Sequence, residues 1–133
     1  STSGLRAPLN VVVLSMNSTQ SIPKQYDALI PYLVVRDAAR AIDFYRQLFG
    51  ATELMRLAMP NSSTVAHAEI KIRDHVLMLG EEVPPMGILS PLSLSGAPPA
   101  SVMLYVNDVD ELFNKAVSLG CKPLMPPNFF SNR

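Results

Sequence analysis

Apolar and polar positions follow two different periods along this chain, and the switches between them mark its elements. Residues 28–35 are largely aliphatic or aromatic and close on Tyr32, Leu33, Val34 and Val35, a composition that predicts a strand. From Ala38 the period changes. Ala38, Ala41, Ile42, Tyr45, Leu48 and Phe49 recur at spacings of three and four, while Arg40, Asp43, Arg46 and Gln47 cover the opposite side, so an amphipathic helix is expected. Asp37 stands where an N-cap carboxylate can accept from the free N–H groups of the first turn. Gly50 stands where a left-handed residue stops the helix. "TELMRLAMP", "STVAHAEIKIRD" and "HVLMLGEE" then read as three strands. The middle one alternates cleanly, with Ala66, Ala68, Ile70 and Ile72 on one face and His67, Glu69 and Lys71 on the other. Asp74 and His75 fall at the turn between the last two. Residues 27–83 therefore read as one β-α-β-β-β unit, and the Pro- and Gly-rich residues 84–99 as an irregular linker.

The same grammar returns after the linker. Residues 102–106 read as a strand, Asp108 as an N-cap, and Glu111 as the second member of a capping box. Leu112, Phe113, Ala116, Val117 and Leu119 form an apolar helix face that Gly120 stops. Sliding one copy on the other pairs Leu33 with Leu104, Val35 with Val106, Asp37 with Asp108 and Leu48 with Leu119. After one extra residue, Phe49, Leu54 pairs with Leu124. Matching roles over about twenty positions point to an internal repeat, the alternative being two unrelated strand–helix units. The second copy, residues 100–133, is expected as a partial βαβ unit without its last two strands. An incomplete sheet leaves an open edge and an uncovered apolar face. Three arrangements answer this: a shortened chain, completion by another subunit, or an added strand from residues 9–16 within an N-terminal extension, residues 1–26.

Composition narrows the function classes. With 133 residues the chain is expected to form one domain with a modest core, and 48% apolar and 17% charged residues are globular proportions. The formal net charge is zero and no basic stripe occurs, which argues against a nucleic-acid partner. No purely apolar run in the chain exceeds five residues, far too short to span a bilayer, and the N-terminal one, residues 11–14, is shorter than a signal-peptide core. A single cysteine, Cys121, excludes an intrachain disulfide and any paired-cysteine zinc motif, and fits a reducing cytoplasm. Cys121 follows a helix stop with no base spaced to activate it, so a packing role is expected. No Gly-rich phosphate loop or GxSxG is present.

The tandem pattern resembles the vicinal oxygen chelate superfamily, which includes glyoxalase I, bleomycin-resistance proteins, fosfomycin-resistance enzymes and extradiol dioxygenases. "IPYLVVRDAARAIDFYRQLFGA", "AHAEIKIRDHVLMLGEE" and "LYVNDVDELFNKAVSLGCKPLMPP" are similar to its PhnB-like branch. The resemblance implies an α+β fold of tandem βαβββ units whose curved mixed sheets surround a cavity, with helices outside. It also implies a position-specific metal set in the metal-dependent members, and there the sequence departs. The usual ligand positions fall on Ile30, near Met78 and on Ser101, and the last belongs to a strand outside the pattern. Such side chains are poor ligands for a hard cation, so no metal or other cofactor is expected.

Two candidate site residues, His67 and Glu69, share one face of their strand. Facing a cavity, they can bind a metal or act as acid and base; otherwise they form a polar sheet face. Under the family model Tyr32, Val34, Met78, Met103 and Tyr105 line the cavity, an adaptable aromatic and methionine surface. The resemblance also places the aromatic pair Phe129 and Phe130, ahead of Arg133, near the cavity mouth. His75, at a turn, is given no role. Three functions fit. The first is a metal-independent binding protein for an apolar or aromatic small molecule, of the drug-sequestering type, acting as a homodimer. The second is a metal-dependent lyase or dioxygenase with ligands relocated to His67 and Glu69. The third is a non-catalytic remnant or subunit.

Overall fold

A computed structural model describes residues 23–95 and 98–126. The first unit folds in the expected order. Strand β1 (Tyr32–Val35) leads to helix α1 (Ala38–Phe49), and then come β2 (Thr52–Ala58), β3 (Val65–Ile72) and β4 (His75–Glu81). The four strands form one mixed, curved and unclosed sheet in the order β1-β4-β3-β2. β1 runs parallel to β4, while β3 is antiparallel to both β2 and β4. The parallel pair is a direct consequence of the crossover through α1. Two 3₁₀ turns, Pro84–Met86 and Pro91–Ser93, come next, and then helix α2 (Val109–Ser118).

The core lies between α1 and one face of the sheet. Ala38 and Ile42 from the helix meet Val65, Ala68, Ile70, Leu77 and Leu79 from the strands, with Leu33, Val35 and Tyr45 packed at the margin. Strand alternation therefore sends the other face of the sheet away from the helix. In-register partners share a face: Tyr32 lies beside Met78, Met78 beside Glu69, and Glu69 beside Met55.

The start of α1 is fixed by more than its cap. Asp37 accepts from the Arg40 N–H at 3.2 Å. Asp37 itself sits in the left-handed region with φ 64°, a strained place for a residue with a Cβ. Glu81, at the end of β4, holds it there: its two carboxylate oxygens accept from the Asp37 and Ala38 N–H groups, each at 2.7 Å. An anion at a helix N-terminus is favoured by the free N–H groups and by the helix dipole. Gly50 ends the helix at φ 66° as its position predicts.

The second copy differs from its expected form. Its helix and cap are in place, with the Glu111 N–H donating to Asp108 Oδ1 at 3.0 Å. Residues 102–106, expected as a strand, are not one. Nor is there a strand over residues 121–126. The reason is pairing: an extended segment becomes a strand only when neighbours take up its N–H and C=O groups. Among the described residues the second copy has no such neighbours. Residues 9–16, the proposed extra strand, lie outside the described residues.

Candidate functional site

The sheet face turned away from α1 carries a chain of four polar side chains. Glu69 projects from the centre of β3 and is only 6% exposed, although no helix covers this face among the described residues. Tyr26 lies over it, in a segment that precedes β1, and donates its hydroxyl to Glu69 Oε2 at 2.6 Å. His67 Nε2 lies 3.3 Å from Glu69 Oε1, and His67 Nδ1 lies 3.1 Å from the Tyr32 hydroxyl. The Tyr32 and His67 rings stack, with centroids 5.6 Å apart and planes at 25°.

The chemistry of the groups assigns the protons. An ionised carboxylate only accepts, so His67 Nε2 carries hydrogen and donates to Glu69. His67 Nδ1 then accepts from Tyr32 in the neutral tautomer. Each Glu69 oxygen thus receives one protein donor and retains acceptor capacity. The hydrogen bond to Glu69 raises the Tyr26 pKa above its usual value, with burial and the carboxylate charge adding to it. Burial alone raises that of Tyr32. Both phenols are therefore neutral donors at ordinary pH.

Gly80 makes this chain possible. It lies on β4, between the strands that bear Tyr32 and His67. A Cβ at Gly80 would come within 2.5 Å of the Ala66 carbonyl oxygen and 2.8 Å of the Tyr32 hydroxyl. A glycine here lets the tyrosine ring cross β4 and reach the imidazole. Beside Glu69 is a recess of about 380 Å³ lined by Gln25, Tyr26, Leu54, Met55, Glu69, Lys71 and Val76. Leu54 and Leu57 remain exposed. A second recess, about 510 Å³, lies at the C-terminal end of α1 around Asp43, Arg46 and Gly50, away from the polar chain.

The residues expected from sequence are distributed unevenly. Tyr32, His67 and Glu69 are joined by hydrogen bonds, and Met78 and Val34 lie on the same face by strand register. Met103 and Tyr105 are not brought to this face; they are 77% and 83% exposed, and the Tyr105 carbonyl accepts from the Arg73 guanidinium at the β3–β4 turn. Phe129 and Phe130 lie outside the described residues. His75 is exposed at the start of β4, with Nδ1 3.3 Å from Asp27 Oδ2. Cys121 is half-buried after α2.

Tyr26 and Gly80 were not among the sequence candidates. Tyr26 stands in a Pro-bounded stretch with no period to give it a face. Gly80 had a readable signal, since an isolated glycine inside a strand marks a close approach. Glu81 and Glu82 carry no sequence signal of their anchoring roles. Glu82 accepts from the Ser93 hydroxyl, from the Ser90 N–H at 3.0 Å and from Arg36 Nε at 3.1 Å. It thereby ties the linker to the end of β1.

The ligand positions that the family resemblance implies fall on Ile30, near Met78 and on Ser101, and of these three side chains only that of Ser101 offers an oxygen. His67 and Glu69 are engaged with each other and with two tyrosines. Among the described residues, no group of three or more His, Cys, Asp or Glu side chains is gathered to hold an ion. Nor is any helix among them long and apolar enough to cross a membrane.

Comparison with known proteins agrees with the fold. Residues 25–129 match the family model described as the glyoxalase/bleomycin resistance protein/dioxygenase superfamily. An uncharacterized protein of Mycobacterium bovis is 43% identical over 96 residues, covering 70% of this chain and 62% of the relative. The chain thus spans less than two thirds of that relative's length. Among solved structures, TioX from Micromonospora sp. ML1 superposes with a TM-score of 0.50 at 25% identity, covering 75% of each chain. A PhnB protein from Bacillus cereus, named as a putative 3-demethylubiquinone-9 3-methyltransferase, gives 0.51 at 17% identity, covering 68% of this chain and 74% of its own. The latter is a likeness of fold.

Proposed function

Because the chain belongs to the glyoxalase/bleomycin resistance/dioxygenase superfamily, we propose that it is a metal-independent binding protein for a small, flat, largely apolar molecule. The observation that carries this reading is the hydrogen-bonded chain Tyr26–Glu69–His67–Tyr32 beside a recess on a helix-free sheet face. Apolar walls with a few placed polar groups are the usual anatomy of a ligand site. Tyr32 and His67 offer stacked rings, Leu54, Leu57 and Met55 offer apolar surface, and Glu69 offers orientation. Val34 and Met78 extend the surface toward β1. Met103, Tyr105, Phe129 and Phe130 join the site when the second half is completed.

The second half, residues 100–133, and the linker, residues 84–99, fit a site shared between two copies. A homodimer in which each subunit roofs the other's open face accounts for the exposed Met103 and Tyr105. The single cysteine fits a cytoplasmic setting.

A thermal-shift titration with flat aromatic compounds, bleomycin among them, tests the reading. A bound ligand raises the melting temperature by roughly 4 °C or more at concentrations well above Kd. His67→Ala should weaken that response about tenfold, a 1.4 kcal/mol effect. No shift with any compound at millimolar concentration would overturn it. If the protein as purified carried a stoichiometric transition metal that His67→Ala removed, the lyase or dioxygenase reading would replace it.

A further inference from the structure

Residues 23–31, just before β1, lie across the candidate site, and their attachment there is narrow. Lys24, Gln25, Asp27, Ala28 and Leu29 are exposed, while Tyr26 is half-buried. Among the described residues, two polar side-chain contacts link residues 23–30 to the sheet: the Tyr26 hydroxyl on Glu69, and the exposed Asp27 carboxylate near His75. The backbone is tied down again only at Pro31, whose carbonyl accepts from the Met78 N–H at 3.0 Å. This strap has one inserted ring, and that ring meets the most buried charged group on the face. It also forms part of the wall of the recess that Glu69 lines.

We propose that Tyr26 is an internal stand-in for the ligand, and that the ligand is an aromatic hydrogen-bond donor, a phenol or an arylamine, which displaces the Tyr26 hydroxyl from Glu69. The inference rests on the binding reading above and names the ligand class for that same site.

Complementarity to Glu69 defines that class. Glu69 as a carboxylate has no proton to donate, so whatever replaces Tyr26 must bring one. A buried acceptor left without its donor is costly, so displacement by a group that cannot donate is disfavoured. The ring that Tyr26 already places over the sheet shows that a flat six-membered ring fits there, with its polar atom 2.6 Å from Oε2. Lys71 also lines the recess, but it is exposed, whereas Glu69 is not. An anionic ligand would place its charge against the buried carboxylate. The strap adds a competition. While Tyr26 occupies Glu69, only the fraction of molecules with the strap displaced can bind, and apparent affinity falls by that fraction.

The chain contains no tryptophan, so a naphthalene probe can be followed by its own fluorescence. The experiment titrates 2-naphthol, 2-methoxynaphthalene and 2-naphthoate into the wild-type chain, Tyr26→Phe and Glu69→Gln. Tyr26→Phe keeps the ring and removes the competing hydroxyl. It should bind 2-naphthol about tenfold more tightly than the wild type does. Wild type should prefer 2-naphthol over its methyl ether and over the naphthoate by at least about tenfold, and Glu69→Gln should erase most of that preference. Equal binding of 2-naphthol and its ether, with no gain in Tyr26→Phe, overturns this inference and leaves the binding reading standing. Weaker binding of 2-naphthol to Tyr26→Phe also overturns it, making Tyr26 a wall of the site. Tightest binding of the naphthoate overturns it in favour of Lys71. If none of the three probes binds any variant, this inference falls together with the binding reading.

Discussion

The two copies of the strand–cap–helix pattern have nearly the same sequence grammar and very different surroundings. In the first, β1 is hydrogen-bonded to β4, and α1 buries Ala38 and Ile42 against the sheet. In the second, the segment equivalent to β1 has no strand partner among the described residues, and no residue of α2 is buried. The caps are alike: each aspartate accepts from the N–H three residues on. Local signals therefore acted equally in both copies. What separates them is the supply of partners, because an apolar helix face gains stability only when something covers it. Three further strands serve the first copy, and the second has none of its own among the described residues.

That contrast can be broken most strongly at equivalent helix positions. Ile42 is fully buried, and Ile42→Ala should cost about 2–5 kcal/mol, the range for a truncated core residue. Phe113 occupies the matching place in α2 and is only half-buried. Phe113→Ala should cost under about 1 kcal/mol in the isolated chain, close to a surface substitution. Urea unfolding of both variants measures this. A Phe113→Ala penalty as large as that of Ile42→Ala would mean that α2 already has its cover in solution, as a dimer would provide.

The next effect sharpens the account of the open face. Gly80→Ala puts a methyl group against the Ala66 carbonyl and the Tyr32 hydroxyl. Overpacking of this kind costs about 1–3 kcal/mol. Tyr32→Phe in the same chain should recover only part of that loss, since it clears the hydroxyl and not the carbonyl. Full recovery would show that the carbonyl contact relaxes freely. No such position exists in the second copy, where nothing in the described residues crosses a strand.

The caps give a smaller difference. Asp37→Ala removes the side-chain acceptor and leaves an alanine in the left-handed region, so about 2 kcal/mol is expected from the two effects together. Asp108 has an extended backbone, and Asp108→Ala should cost about 1 kcal/mol or less. Asp37→Asn should be tolerated better than Asp37→Ala, because asparagine both caps and accepts a left-handed backbone. Equal losses at Asp37 and Asp108 would remove the claim that Glu81 holds a strained residue in place.

These cases also show where the sequence was informative. The elements of the first unit, α2 and both caps were legible because each depends on periodicity or on a residue at one fixed offset. The shared face of His67 and Glu69 was legible for the same reason. Tyr26, Glu81 and Glu82 were not, since each acts on a group about eight to forty-five residues away along the chain, and no local pattern encodes such a partner. The strand expected over residues 102–106 failed for the converse reason. Its composition suits a strand, but pairing is a tertiary property that composition does not supply.

The smallest effect concerns the join between the two regions. Glu82 anchors the linker through Ser93, Ser90 and Arg36, and these hydrogen bonds lower its pKa from the usual 4.5 to about 2, the Ser93 hydroxyl contributing most. A carboxyl group whose folded pKa is depressed stabilises the fold above its unfolded pKa and loses that contribution as pH falls toward the folded value. The melting temperature of the wild type should therefore decline between about pH 4.5 and pH 2 in part through Glu82. Glu82→Gln should lower stability at neutral pH and make the curve flatter over that window. The carboxylate side chain sits at the surface of the network, and its Arg36 partner is half exposed, so the change in slope is expected to be modest and to shrink in high salt. If Glu82→Gln gave a curve parallel to wild type across that range, the linker would be held by packing of its prolines, and the first unit would end at β4 with no electrostatic tie to the second copy.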